Sequence, residues 1–342
     1  MGRRVTIEEI ARQSNASVST VSLVLRNRPG ISPSTRQRVL DVARALGYHR
    51  RARTPEDPTR DTLTVGLVLR ARNRPPDVGV PVVNPFYSWV LTGIEAAARP
   101  RRINLLYATL PVDDENRPLH LPHQLLDQPL DGLLLVGAFA DDTIAEVAGT
   151  RPTPVVLVDS HAGPHQHDAV CSDNRAGARA AVAHLIGQGH RQIALLGPRP
   201  QADPVFAERR DGYLRAVREH GLPDYAIEYG AAGEVEAAAS FLERHAEVTA
   251  IFGCNDRFAI AALQAARQLG RRIPEDLSVI GFDDIELAVH TTPPLATMAV
   301  DKVSMGRLAV QTLLFRLAWP DAATVLTQLR PRLLARASVA AR

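Results

Sequence analysis

Apolar and polar positions along this chain follow two rhythms. In the N-terminal segment apolar side chains recur every three or four residues, the spacing of one helix face: Ile7, Ile10 and Ala11; then Val21, Val24 and Leu25; then Val39, Val42, Ala43 and Leu46. Boundary signals agree with three helices. Thr6-Ile-Glu-Glu9 fits a capping box, in which Thr6 accepts from an early backbone N–H while Glu9 reaches back. The break at Ser14-Asn15-Ala16 is short, and Ser17 caps a second predicted helix running to about Leu25. A third begins at Ser32, with Pro33 in the first turn, where its missing N–H costs nothing, and Gly47 ends it. Two short helices joined by a tight turn, with a third completing the core, form a helix-turn-helix. By geometry alone such a bundle need not bind DNA.

From Leu63 the rhythm changes. Apolar runs of strand length occupy Leu63–Leu69, Ile103–Ala108, Gly132–Val136, Val155–Val158, Gln192–Leu196, Ala250–Phe252 and Leu277–Ile280. Helical stretches lie between them: Ser88–Ala98, Ala176–Gly187, Arg209–Glu219, Glu234–His245 and Arg257–Leu269. This alternation predicts α/β architecture with doubly wound parallel sheets. The expected organisation is an all-α helix-turn-helix domain over 1–48, a linker over 49–62 and a two-lobed α/β domain over 63–342. The turn-rich stretch Ser160–Asp168 predicts a crossing, giving lobe 1 about 63–160 plus 296–320, and lobe 2 about 161–295 plus 321–342. A ligand is expected in the crevice at the carboxyl ends of the strands.

Charge sharpens this division. Residues 1–53 hold eleven arginines, no lysine and three acidic residues, a net of +8, while the remainder carries −5. A basic module on a mildly acidic body is an electrostatic footprint of nucleic-acid binding. No apolar run reaches the roughly 20 residues that span a bilayer. The N-terminal residues lack the apolar stretch of an export signal, so a cytoplasmic, non-membrane protein is expected. Cys171 and Cys254, without metal-ligand spacing, read as buried thiols.

Val5-Thr-Ile-Glu-Glu-Ile-Ala-Arg12, Ala16-Ser-Val-Ser-Thr-Val-Ser-Leu-Val-Leu-Arg-Asn27 and the stretch from Ser32 to Leu46-Gly-Tyr48 closely resemble the DNA-binding domain of the LacI/GalR (lactose-repressor) family. The resemblance implies that the second helix lies in the major groove, with Val18, Ser19, Ser22 and Leu23 toward base edges. It also implies that Thr6, Ser17, Thr20, Asn27 and Ser34, with nearby arginines, hold phosphates. Leu23 stands where many members have arginine, so an apolar contact such as a thymine methyl replaces a guanine contact; Arg26 supplies charge nearby. The linker departs too. Tyr48 is followed by His49-Arg50-Arg51, no Leu, Ile or Phe occurs before Leu63, and Pro55 and Pro58 oppose a helix. The expectation is a linker without the family's apolar minor-groove wedge, using Arg50, Arg51 and Arg53 electrostatically, with less bending and more salt dependence.

The resemblance extends through Asn84-Pro-Phe-Tyr87, Asp131-Gly132, Asp173-Asn174, Arg209-Arg-Asp-Gly-Tyr213, Cys254-Asn-Asp256 and Pro274 to Asp284, giving a periplasmic-binding-protein-like body. It implies a small-molecule effector, a carbohydrate before a nucleobase. Sugar recognition uses charged or amide groups on neighbouring hydroxyls and an aromatic ring against the apolar face. Arg209 resembles the family's clamping arginine, its plainer reading being a helix-surface ion pair. Asp256, which follows Asn255 at a strand end, resembles the family's hydroxyl acceptor, with Asn255 a candidate beside it, though Asp256 can also cap the helix that follows. Asp283 ends a strand facing the crevice, while Asp284 orders the loop. Phe86 and Tyr87 offer stacking surface or core, and Asp159, Ser160 and His161 form a wall. The segment 70–83, rich in Arg and Pro, is longer than the family's usual connection and suggests a lid or subunit contact.

An enzyme would need a constellation. There is no phosphate-cradling glycine motif, and Asp283-Asp284 are adjacent and poorly placed to flank a bond. His161, His165 and His167, or His184 and His190, lack firm metal-ligand spacing. No catalytic residues, metal or cofactor are therefore expected. The rival reading is a periplasmic-type sugar-binding protein, set aside because a basic module stands where an export signal would. The resulting expectation is a sequence-specific repressor, a homodimer on a pseudo-palindromic double-stranded operator.

Overall fold

Helix α1 (Ile7–Gln13) starts where Thr6, in extended conformation, accepts from the Glu9 N–H at 3.3 Å. Helix α2 (Val18–Leu25) is capped by Ser17, whose Oγ accepts from Thr20 N–H at 3.0 Å, and α3 (Pro33–Ala45) by Ser32, whose Oγ accepts from Thr35 N–H at 3.2 Å. Ile10, Ala11, Val21, Val24, Val39 and Ala43 interlock as the core of the three helices, with Val42 and Leu46 packed against it. Arg38 Nε donates to the Ser14 carbonyl at 3.0 Å, pinning α3 to the turn. The computed structural model describes residues 6–25, 31–46, 62–72, 84–113, 116–149, 153–161, 167–198, 203–228 and 233–342. Its chain divides into two units, 1–56 and 57–342.

The larger unit holds two six-stranded sheets. The first contains β1 (Thr64–Arg72), β2 (Asn104–Val112), β3 (Gly132–Val136), β4 (Val155–Val158), β5 (Asp168–Ser172) and, from the far end of the chain, β11 (Leu326–Leu329). Their order is β11-β5-β4-β3-β1-β2, all parallel. The second contains β6 (Ile193–Gly197), β7 (Tyr225–Glu228), β8 (Ala250–Gly253), β9 (Ser278–Asp283), β10 (Ala296–Ala299) and β12 (Arg332–Leu334), in the order β12-β10-β9-β8-β6-β7. Among these described strands β12 alone runs antiparallel. Helices α4 (Phe86–Ala98), α5 (His123–Leu126), α6 (Asp141–Gly149) and α12 (Lys302–Ala318) belong to the first lobe. Helices α7 (Asn174–Gly187), α8 (Pro204–Glu219), α9 (Glu234–Arg244), α10 (Asp256–Gln268) and the short α11 (Leu287–His290) belong to the second. Strands such as β3 and β8 are buried along their whole length, as parallel strands covered on both faces must be.

Lobe boundaries differ from the sequence-based expectation. Strand β5 completes the first sheet, so the chain crosses at Asp173, not at Ser160. Strand β10 lies in the second sheet and β11 in the first. The reason is in the pairing of Asp168. Both its carboxylate oxygens take the Arg316 guanidinium of α12, at 2.7 and 2.9 Å, and Oδ1 also accepts Val325 N–H, tying β5 to α12 and β11. Helices α4 and α12 meet at Gly93 and Gly306, where a Cβ on either would strike the other helix's backbone.

Candidate functional site

On the three-helix unit, α2 turns Val21 and Val24 inward and leaves Val18 and Leu23 48% and 40% exposed. Ser19 is exposed and Ser22 half-buried beside them. Apolar side chains held out in water on a short helix are the feature expected of a groove-reading surface. Ser17 Oγ lies 2.8 Å from both Ser19 Oγ and Thr20 Oγ1, so its cap also organises the polar rim of α2. Thr6 and Ser34 are exposed on the neighbouring helix starts. Arg26, Asn27, Arg50, Arg51 and Arg53, with most of the linker, lie outside the described residues.

In the larger unit a cleft of about 470 Å³ opens at the carboxyl ends of both sets of strands. Arg209, one and a half turns into α8, is 2% exposed. Its Nε donates to Asn174 Oδ1 at 2.9 Å, Nη1 to the Cys254 carbonyl at 2.8 Å, and Nη2 pairs with Asp283 at 2.9 Å. The guanidinium lies 3.8 Å from the centroid of Phe282, so the cation is held by its edges and one face. This is neither a surface ion pair nor an idle clamp. It joins β9, α7 and α8 and holds a buried carboxylate at the cleft floor. Burial pushes the Asp283 carboxyl up, against the pull of Arg209.

Asn255 caps α10 by accepting from Phe258 N–H at 3.1 Å, so the cap is Asn255 and Asp256 is the first helical residue. Asp256 is fully buried; its oxygens accept from Thr297 Oγ1 at 2.5 Å and Ile285 N–H at 2.7 Å. Burial, with Asp283 nearby, raises its carboxyl to about 7. On the opposite wall Tyr87 donates to Asp159 Oδ2 at 3.0 Å, while Asp159 Oδ1 has no partner among the described residues. Burial lifts Asp159 to about 7 although Arg209 opposes it. Asp159 and Asp283 both sit at positive φ, 59° and 105°, a backbone cost that clusters at functional sites.

The structure brings Phe86, Tyr87, Asp159, Arg209, Asn255, Asp256 and Asp283 to one cavity. Phe86 and Tyr87 are both buried and line it, in edge-to-face contact at 5.2 Å. Ser160 is buried beside Asp159 but does not line it, and His161 turns away to Glu208 at 2.9 Å. Arg336 holds Asp284 at 2.7 Å, consistent with a loop-ordering role. His190 bonds Thr249 at 2.9 Å inside the second lobe.

Sequence reasoning missed Arg70, Asp203, Phe206 and Phe258. Arg70 continues β1 past the expected end at Leu69, is 9% exposed, and donates to Asn116 Oδ1 at 2.7 Å and across the cleft to Asp203 Oδ2 at 2.9 Å. Its Nη2 has no partner among the described residues. Asp203 caps α8, which starts at Pro204, earlier than expected. Asp203-Pro204 is itself a helix-start signal that would have found it.

Both thiols, Cys171 and Cys254, are buried and pushed up to about 12, which keeps them protonated and unreactive. What the cleft offers is fixed donors, acceptors and aromatic faces, the equipment of binding. A helix-turn-helix unit on the same chain as a two-lobed binding cleft defines a ligand-responsive transcriptional regulator. Residues 6–51 match the family described as "Bacterial regulatory proteins, lacI family", and 182–339 the "Periplasmic binding protein-like domain". The ribose operon repressor of Haemophilus influenzae is 33% identical over 92% of this chain and 93% of its own length. The regulator CelR of Thermobifida fusca is 32% identical over 98% of both chains. A solved CelR–cellobiose complex superposes with TM-score 0.68 at 29% identity, covering 98% of this chain and all of the other. The chain belongs to the LacI family of bacterial transcriptional regulators. No described helix is long and apolar enough to cross a membrane.

Proposed function

We propose that the protein is a cytoplasmic homodimeric repressor that binds a pseudo-palindromic operator and whose affinity for DNA changes when a small carbohydrate occupies the cleft. The observation that carries this reading is one cavity in which Asp159 and Arg70 from the first lobe face Arg209 and Asp283 from the second, with Phe86 and Tyr87 alongside. Such a site binds hydroxyls from both lobes at once, so occupancy favours one lobe geometry over another, and that difference is the coupling free energy available to the DNA module. A ribose operon repressor and a cellobiose-bound regulator among its relatives support a sugar as the effector.

In the DNA module Val18, Ser19, Ser22 and Leu23 read bases, while Thr6, Ser17, Thr20, Asn27, Ser34 and the arginines Arg26, Arg50, Arg51 and Arg53 hold backbone phosphates. Two copies set half-sites about one helical turn apart. Selection of bound sequences from random duplex DNA, with and without a sugar panel, tests the reading. An enriched palindrome whose retention shifts with one sugar is expected; no enrichment overturns it.

A further inference from the structure

We propose that Lys302 is a positioning residue of the cleft: rooted in the first lobe, it fixes the backbone turn at Asp283-Asp284 in the second, and so sets the aim of Asp283 and Arg209. This rests on the reading above that the cleft takes the effector, and adds the device that keeps its floor in shape.

Lys302 is the first residue of α12, and both its place and its burial are unfavourable. A cation at the N-terminus of a 17-residue helix meets the positive end of the helix dipole, and this one is only 8% exposed. Burial pulls its ammonium below the usual lysine range, against the opposing pull of Asp283, Asp284, Asp256 and Asp301. None of those four carboxylates bonds it among the described residues. Asp283 holds Arg209, Asp284 holds Arg336, Asp256 accepts from Thr297 and Ile285, and Asp301 accepts from Ser304 N–H. Instead Nζ donates to the carbonyls of Asp283 at 2.5 Å, Asp284 at 3.0 Å and Val300 at 3.4 Å. An ammonium has three protons to give, and three carbonyl oxygens take them.

Two of those carbonyls belong to costly backbone. Asp283 and Asp284 are consecutive residues at positive φ, 105° and 54°, and neither is glycine. Side-chain-bearing residues stay in that region only when their surroundings hold them there. Lys302 supplies that hold from the other lobe, by taking both carbonyls on one charged group. Asp283, Ile285 and Leu287 line the cleft and Lys302 does not, so its influence on the site passes through the turn. Because Lys302 travels with α12, the aim of Asp283 lasts only while the two lobes keep this relation.

Hydrogen exchange followed by NMR on the full chain, with no sugar present, tests this at two protons. One is Ile285 N–H, which the turn delivers to Asp256 at 2.7 Å; the other is Arg209 Nε–H, which donates to Asn174 at 2.9 Å. Lys302→Met keeps the side chain's length but not its donors, and is expected to speed both by about tenfold. Val279 N–H, bonded to the Ser338 carbonyl at 2.8 Å inside the second lobe, should stay within about twofold of its parental rate. Lys302→Gln, neutral yet still a donor, is the milder variant and should speed the two protons by about threefold. An unchanged Ile285 rate in both variants overturns the clasp, and an Ile285 gain that spares Arg209 overturns the aim. Acceleration of Val279 to the same degree, or failure of both variants to fold, makes Lys302 a fold-holding residue and overturns the proposal. A sugar panel without a binder would overturn the effector reading and leave these exchange rates as they are.

Discussion

Among its described residues the three-helix unit buries Ile10, Ala11, Val21, Val24, Val39 and Ala43, with Ser14 the one polar side chain among them, and keeps its charges outside. The larger unit buries Arg70, Arg209 and Lys302 together with Asp159, Asp168, Asp203, Asp256 and Asp283. The first is therefore an apolar core carrying an adjustable electrostatic surface, sensitive to ionic strength. The second stores opposed charges at low dielectric around a cleft, where the same atoms serve stability and recognition. Stability alone would have favoured apolar residues there, because buried ion pairs rarely outperform them. The charge there is what the proposed recognition of an effector would use.

Arg209→Met strains this comparison most. It strands Asp283 without its cation and should cost the larger unit about 3–5 kcal/mol in urea denaturation, and abolish effector binding, while the three-helix unit melts as before. A cost below about 1 kcal/mol would mean the charges are solvated and the contrast is empty. Next comes pH. Asp159 and Asp256 are raised from an ordinary 3.8 to about 7, so the stability their protonated forms contribute is complete below pH 3.8 and lost as pH rises through about 7. The larger unit should weaken by roughly 2–3 kcal/mol for each of the two carboxyls between pH 5 and 8, with Asp159→Asn removing about half of the change and the smaller unit unaffected.

Val21→Ala, by contrast, should destabilise only the smaller unit, by about 1–2 kcal/mol at any pH in that window. Replacing Arg50, Arg51 and Arg53 together with alanine should lower the salt slope of operator binding by up to about one for each phosphate that is no longer neutralised. Permuted-site gel mobility should show little central bending in the parent protein, and a sharp kink would remove the case for a linker without a wedge. The smallest effect belongs to Leu23→Ala: about 1 kcal/mol of operator affinity, confined to sites with a thymine opposite it.

Legibility in the sequence tracked how local the signal was. The helix starts at Thr6, Ser17 and Ser32 were readable because a cap and the N–H it serves lie within three residues. Arg209 and Asp256 stood out because the short motifs around them resemble the family's ligand-binding landmarks, and Asp283 because it ends an apolar strand. Arg70 was hidden by its charge, since an arginine at the end of an apolar run reads as a loop until Asp203 is known to face it, 133 residues later. The same holds for β5: Asp168 looks like turn chemistry until Arg316 neutralises it, 148 residues away. Strands β11 and β12 are only four and three residues long, too short for periodicity to separate them from coil.

Those two short strands have a consequence for how the molecule is made. The chain passes between lobes at Asp173, at residues 300–301 and at residues 330–331, and the last passage adds β11 to the first sheet and β12 to the second. Neither lobe is a contiguous segment, and both sheets wait for the same final stretch. During synthesis from the N-terminus, the three-helix unit can mature early, while both halves of the sensor remain unfinished until residues 326–334 leave the ribosome. The helix-turn-helix unit is thus complete before the ligand cleft is, and a nascent chain that stalls late carries the first without the second.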